Sequence, residues 1–109
     1  MDPRERFTEI VDDLAARDPD VEESQMMGRP SIKAGGKLIA CLESRGTMAF
    51  KLPDEAEQEK ALALDGARVY DPAESGRLMR GWVEVPFAHA TKWAGLAETA
   101  LRLRKETSG

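Results

Sequence analysis

Two side chains bring ready reaction chemistry to this chain, and there is one of each. Cys41 is the single cysteine and His89 the single histidine among 109 residues, so a thiol nucleophile with an imidazole base would have to use this pair. Cys41 lies within Leu38-Ile39-Ala40-Cys41-Leu42, an apolar run that reads as a buried strand, where packing is the simpler role. His89 stands just before a helical pattern, where capping or a surface position is the simpler role. A lone cysteine makes no internal disulfide, and one cysteine with one histidine falls short of the usual zinc ligand sets. Asp54-Glu55-Ala56-Glu57 gathers carboxylates, yet Asp54 and Glu57 have capping-box spacing and suit an acidic helix start better than a metal site. Neither Arg29-Pro30-Ser31 nor Gly35-Gly36-Lys37 has the longer glycine-rich pattern of a P-loop. No catalytic, cofactor or metal site is expected, and an enzyme is the less favoured reading.

Charge says more. The net charge is −4, but residues 1–24 hold three arginines against nine acids, whereas residues 25–53 hold Arg29, Lys33, Lys37, Arg45 and Lys51 against Glu43 alone. Local field rather than net charge guides a polyanion, so a fold that keeps the acidic amino terminus remote could still engage phosphates. The candidate nucleic-acid contacts are Arg29, Lys33 and Lys37 near strand turns, Arg77 and Arg80 ahead of a later strand, and Trp82. Solvated side chains or surface ion pairs are the plainer account of each basic residue, and Lys37 and Lys51 can also guard strand margins. Trp82 or Tyr70 would add stacking only if solvent-facing, and core packing is the expectation for both. Met26 and Met27 could form an adaptable contact surface, although methionine more often fills a core.

The elements that must position these groups follow from periodicity. Phe7, Ile10, Val11, Leu14 and Ala15 share one face of a helix over about residues 4–17, ended with the help of Pro19. Glu5, Glu9, Asp12 and Asp13 form its solvated face. Three antiparallel strands are expected next: the Ile32 segment, Lys37 to Ser44, and Thr47 to Leu52, turning at Gly35-Gly36 and Ser44-Arg45-Gly46. Met48, Phe50 and Leu52 face one way, and Thr47, Ala49 and Lys51 the other. Pro53 closes the third strand, and a short helix capped by Asp54 runs toward Gly66. Ala73 to Arg80 reads as a loop, followed by a strand over Gly81 to Pro86, with the proline at a terminal or edge position. A last helix carries Trp93, Leu96, Ala97, Ala100 and Leu101 on its core face.

Taken in order, Met27-Gly28-Arg29-Pro30-Ser31, Gly35-Gly36-Lys37, Ala49-Phe50-Lys51-Leu52, and the run Gly76-Arg77-Leu78-Met79-Arg80-Gly81-Trp82-Val83-Glu84-Val85-Pro86 resemble the MmcQ/YjbR and TfoX amino-terminal-domain families. The resemblance spans about residues 5 to 105. It implies a small α+β domain with a helix before an antiparallel sheet and further helices behind it, and a double-wing fold of the kind predicted to bind DNA. TfoX proteins are linked to competence regulation, usually through an added carboxy-terminal domain for which 109 residues leave no space. No catalytic residue set accompanies the resemblance.

The expectation is therefore one domain over residues 1–109, α+β, an antiparallel sheet covered by amino- and carboxy-terminal helices, of YjbR/TfoX-N-like type. Its core combines Phe7, Ile10, Leu14, Leu38, Met48, Phe50, Val83, Trp93 and Leu96. Cysteine usage and the lack of a long apolar run point to the cytoplasm and away from a membrane. A small regulatory or protein-interaction module, acting on a protein partner or by self-association, leads the functional readings. A DNA-binding domain using a local basic patch, and a small-molecule-binding protein or enzyme, are the alternatives.

Overall fold

A computed structural model describes residues 1–107. The first helix, α1 (Pro3–Arg17), is started by a reciprocal cap: the Asp2 carboxylate accepts the Glu5 N–H at 2.8 Å while the Glu5 carboxylate accepts the Asp2 N–H at 3.2 Å. Two donors that a helix start leaves unpaired are thereby satisfied. Its buried stripe is Phe7, Ile10, Val11 and Leu14, as the spacing requires.

Six strands follow: β1 (Val21–Met26), β2 (Arg29–Ala34), β3 (Lys37–Leu42), β4 (Met48–Lys51), β5 (Arg68–Tyr70) and β6 (Met79–Val85). The helix α2 (Glu55–Leu62) lies between β4 and β5, and α3 (Ala90–Thr107) ends the described chain. All neighbouring strands are antiparallel, in the order β1-β2-β3-β4-β6-β5. The fold is α+β, a six-stranded antiparallel sheet flanked by amino- and carboxy-terminal helices.

Two strands lie where none was expected. β1 is a polar edge strand whose sequence, Val-Glu-Glu-Ser-Gln-Met, has no apolar alternation. It reaches β2 through a two-residue turn in which Met27 (φ 51°) and Gly28 (φ 82°) both adopt the left-handed conformation, the geometry that matches hairpin twist. β5 is only three residues long. The strand expected from Gly81 begins earlier, at Met79, so Met79 and Arg80 leave the loop. It is an interior strand, and Pro86 lies just beyond its end, where no ladder bond is lost.

The helices cover one face of the sheet. Met48, Phe50, Leu52, Val83 and Val85 meet Phe7, Ile10 and Leu14 of α1 and Trp93, Ala97 and Ala100 of α3, all buried. Two expected core members differ. Leu96 is half-buried at the margin. Leu38 joins the opposite face, because β3 carries an extra residue against β2: Ile32 pairs with Ala40 but Lys33 pairs with Leu38. That bulge turns Ile39 into the helix-side core and Leu38 away from it.

Candidate functional site

The chemistry gathers on the face of the sheet that no helix covers. One rung across all six strands reads Ser24, Ser31, Cys41, Ala49, Glu84 and Arg68. Its centre is built from small side chains, and Tyr70 fills the space above them, packed with Cys41, Ala49 and Trp82. The Tyr70 and Trp82 rings are 5.9 Å apart, tilted at 40°. From its edge strand Tyr70 reaches across to β3, where its hydroxyl donates to Glu43 and accepts from the Cys41 thiol at 3.4 Å.

Two glutamates are buried here, Glu43 at 4% and Glu84 at 2% exposure. A buried carboxylate is tolerable only when paired and hydrogen-bonded, and both are. Arg29 Nε donates to both Glu43 oxygens, at 2.8 and 2.9 Å. Glu84 receives Arg45 Nε at 2.6 Å, Arg68 Nε at 3.1 Å and the Thr47 hydroxyl. Burial pushes the Glu84 carboxyl up, but Arg45, Thr47 and Arg68 together hold it below its ordinary value. Hydrogen bonding to these carboxylates raises the arginines: Glu43 acts on Arg29, and Glu84 on Arg45 and Arg68. The loop after β5 ties in as well, since the Asp71 and Pro72 carbonyls accept from Arg45 and Arg29. Asp71 shapes that loop by accepting the Ser75 and Gly76 N–H groups.

Neither single-copy reactive group is poised for catalysis. Burial pushes the Cys41 thiol up to about 11, so it stays protonated and unreactive near neutrality. His89 Nε2 lies 2.7 Å from the Asp65 carbonyl, in a 3-10 turn (Phe87–His89) ahead of α3, whereas Cys41 bonds to Tyr70 on the sheet. Among the described residues no group of three His, Cys, Asp or Glu side chains could hold a metal ion, and no helix is long and apolar enough to cross a membrane.

The expected nucleic-acid contacts separate into two sets. Arg29 belongs to the glutamate network. Trp82 is 6% exposed and offers no open ring face for stacking. Lys33, Lys37 and Arg80 lie instead toward the opposite end of the sheet, but not as one cluster: Lys33 is on the uncovered side, Lys37 on the helix side, and Arg80 on β6, beyond β4. Lys33 stands across from Leu38 on β3 and Lys37 opens β3 across from Ala34. Lys51, not singled out as a contact in the sequence, ends β4 across from Trp82. Arg80 directly precedes Gly81, whose carbonyl accepts the Leu52 N–H at 2.6 Å. Arg77 is exposed in the loop entering β6. None of these five makes an ion pair with the described residues. Glu22, across from Lys33 on β1, borders the basic stretch.

Sequence reasoning missed Glu43, Glu84 and their partners Arg45, Thr47 and Arg68. A signal existed: Glu84 interrupts Trp82-Val83-Glu84-Val85, and a charge inside an apolar strand demands a buried counter-charge. No family model, no curated protein and no solved structure matches the chain.

Proposed function

We propose that this protein is a small binding domain of the MmcQ/YjbR and TfoX amino-terminal type that engages nucleic-acid phosphates through Lys33, Lys37, Lys51, Arg77 and Arg80. The observation that carries the reading is the sorting of the cations: the arginines on the glutamate network are internally neutralised, while these five make no ion pair with a carboxylate among the described residues. The helix–sheet–helix order supports the family reading. With Trp82 buried, contacts are to the backbone and carry little sequence preference. Fluorescence anisotropy with labelled duplex DNA and single-stranded RNA tests this. Saturable binding that weakens by about 10²-fold between about 50 and 200 mM salt is expected for about four phosphate contacts. No saturable binding at low salt overturns the reading, as does unchanged affinity in folded Lys33→Ala/Lys51→Ala/Arg80→Ala.

The second reading is a regulatory module that recruits a protein. It is favoured by β1, which ends the sheet with its outer edge unpaired. Strand addition there would suit a basic partner strand, because Glu22 and Glu23 are exposed along that edge. Sedimentation across concentration tests the self-association version, for which a constant monomer mass is the negative result.

A further inference from the structure

The β5–β6 hairpin is interrupted at the same level on both of its strands. Arg68 and Val69 pair in step with Glu84 and Val83, but the next residue, Tyr70, pairs with Met79, so the register slips between Val69 and Tyr70. Gly81 lies inside the stretch of β6 that is passed over, at φ 86°, a conformation glycine adopts at no steric cost. The ladder with β4 reaches the same level: Lys51 pairs with Trp82, and the Leu52 N–H closes on the Gly81 carbonyl. Residues 70–80 therefore form a separate tip, and irregularities of this kind bend the strands that carry them.

We propose that this tip is a hinged flap, closed over the uncovered face of the sheet, that opens as a unit while the rest of the fold stays intact. Its ties across the face are few. The Tyr70 hydroxyl meets Glu43 and the Cys41 thiol, and the Asp71 and Pro72 carbonyls accept from Arg45 at 3.3 Å and Arg29 at 3.4 Å. The exposed Glu74 carboxylate adds ion pairs with Arg45 at 3.5 Å and Arg68 at 3.2 Å. Opening leaves Arg29 on Glu43 and leaves Arg45 and Arg68 on Glu84, so neither buried carboxylate loses its arginines.

The flap also holds its own shape. The Asp71 carboxylate accepts the Ser75 and Gly76 N–H groups, and its carbonyl accepts the Glu74 N–H. Tyr70 is the deep anchor, fully buried, whereas residues 73–78 are exposed. A segment with so little buried apolar surface belongs to the low end of local stability. Opening uncovers Cys41, Ala49 and Trp82, against which Tyr70 packs. It also moves Arg77 and Arg80, which ride on the flap, relative to Lys33 and Lys51 on the sheet.

Cys41 is the single thiol, so its alkylation by iodoacetamide, referred to the rate in the unfolded chain, reports the opening. Labelling should be at least tenfold faster than global unfolding alone allows, and its urea dependence less than half that of global unfolding, because little surface is exposed. Ile10→Val, on α1 behind the sheet, lowers global stability and should leave labelling unchanged. Tyr70→Phe, which removes the tie to Glu43, should speed it at least fivefold. Hydrogen exchange in the same protein should find the β3 and β4 amides protected to the level of global unfolding. The flap is overturned by labelling that follows global unfolding in its urea dependence and its response to Ile10→Val, or by labelling that Tyr70→Phe leaves unchanged. It is equally overturned by β3 amides that exchange as readily as the thiol reacts, which would place the opening in the strand. No nucleic acid enters the measurement, so its outcome is independent of the phosphate-binding reading.

Discussion

The uncovered face of the sheet carries cations at both of its ends and uses them in opposite ways. At the end formed by the β1–β2 and β3–β4 turns, Arg29, Arg45 and Arg68 converge on two buried glutamates. At the other end the half-buried Lys33 and the exposed Lys51 and Arg80 make no ion pair with a carboxylate among the described residues. The difference is imposed by the acids. A carboxylate in the interior must be neutralised where it lies, so its arginines are committed to the fold, whereas a solvated lysine costs nothing to leave unpaired. Cation content alone would rank the two ends together. Burial of their partners separates a structural set from an available one.

That contrast can be broken at several points. The largest effect is expected from Arg29→Ala, which leaves the buried Glu43 with only the Tyr70 hydroxyl and the more distant Arg45, at 3.8 Å. Loss of about 3 kcal/mol is expected, a large share of the about 5–15 kcal/mol typical of a small domain, and urea unfolding measures it. Tyr70→Phe removes the hydroxyl that joins Cys41 to Glu43 and should cost about 2 kcal/mol, since a hydrogen bond to a charged acceptor is lost. A cost near zero by the same method would mean that Glu43 finds another donor.

Acid should act on the structural end. Because Glu84 is held below its ordinary value in the folded chain, the unfolded chain binds more protons between the two values. The stability Glu84 contributes is present above the ordinary carboxylate range and is lost as pH falls through the lowered value. Unfolding free energies from pH 6 downward should therefore fall less steeply in Glu84→Gln than in the parent protein, and parallel curves would contradict the assignment. The smallest effect on stability belongs to the solvated end. Each of Lys33→Ala, Lys51→Ala and Arg80→Ala should shift unfolding by no more than about 0.5 kcal/mol, while polyanion affinity falls. A larger loss of stability would show that these side chains are also committed to the fold.

Much of the helix-covered layer is legible in the sequence, because Phe7, Ile10 and Leu14 on α1 and Met48, Phe50 and Leu52 around β4 repeat with the period of their elements. The Asp54 cap and the Gly35-Gly36 turn are legible for local reasons, as side-chain and backbone requirements of a helix start and a tight hairpin. β1 is not legible, since only Val21 and Met26 at its two ends pack against the core and the polar run between them has no alternation to read. The Met27-Gly28 turn hides behind a methionine in a position usually given to asparagine or glycine. Leu38 leaves the expected helix-side core because one extra residue in β3 inverts the alternation, and nothing in an unbroken apolar run marks where that happens. The candidate site is the least legible part: Arg29 and Trp82 could be singled out as residue types, but their roles depend on Glu43 and Tyr70, which only the sheet register brings near them.

The reach of Tyr70 across the face also sets an order of events in time. Arg29 and Glu43 come early in the chain, yet the hydroxyl that locks Glu43 and the carbonyl that steadies Arg29 come from Tyr70 and Pro72. A chain leaving the ribosome thus has the Arg29–Glu43 pair before it has the groups that hold it. Contacts between residues so far apart in sequence carry a loop-closure cost and tend to form late. Burial of the Arg29–Glu43 pair should accordingly be completed only after β5 has docked, which makes protection of that pair from solvent a clock for a late step of folding.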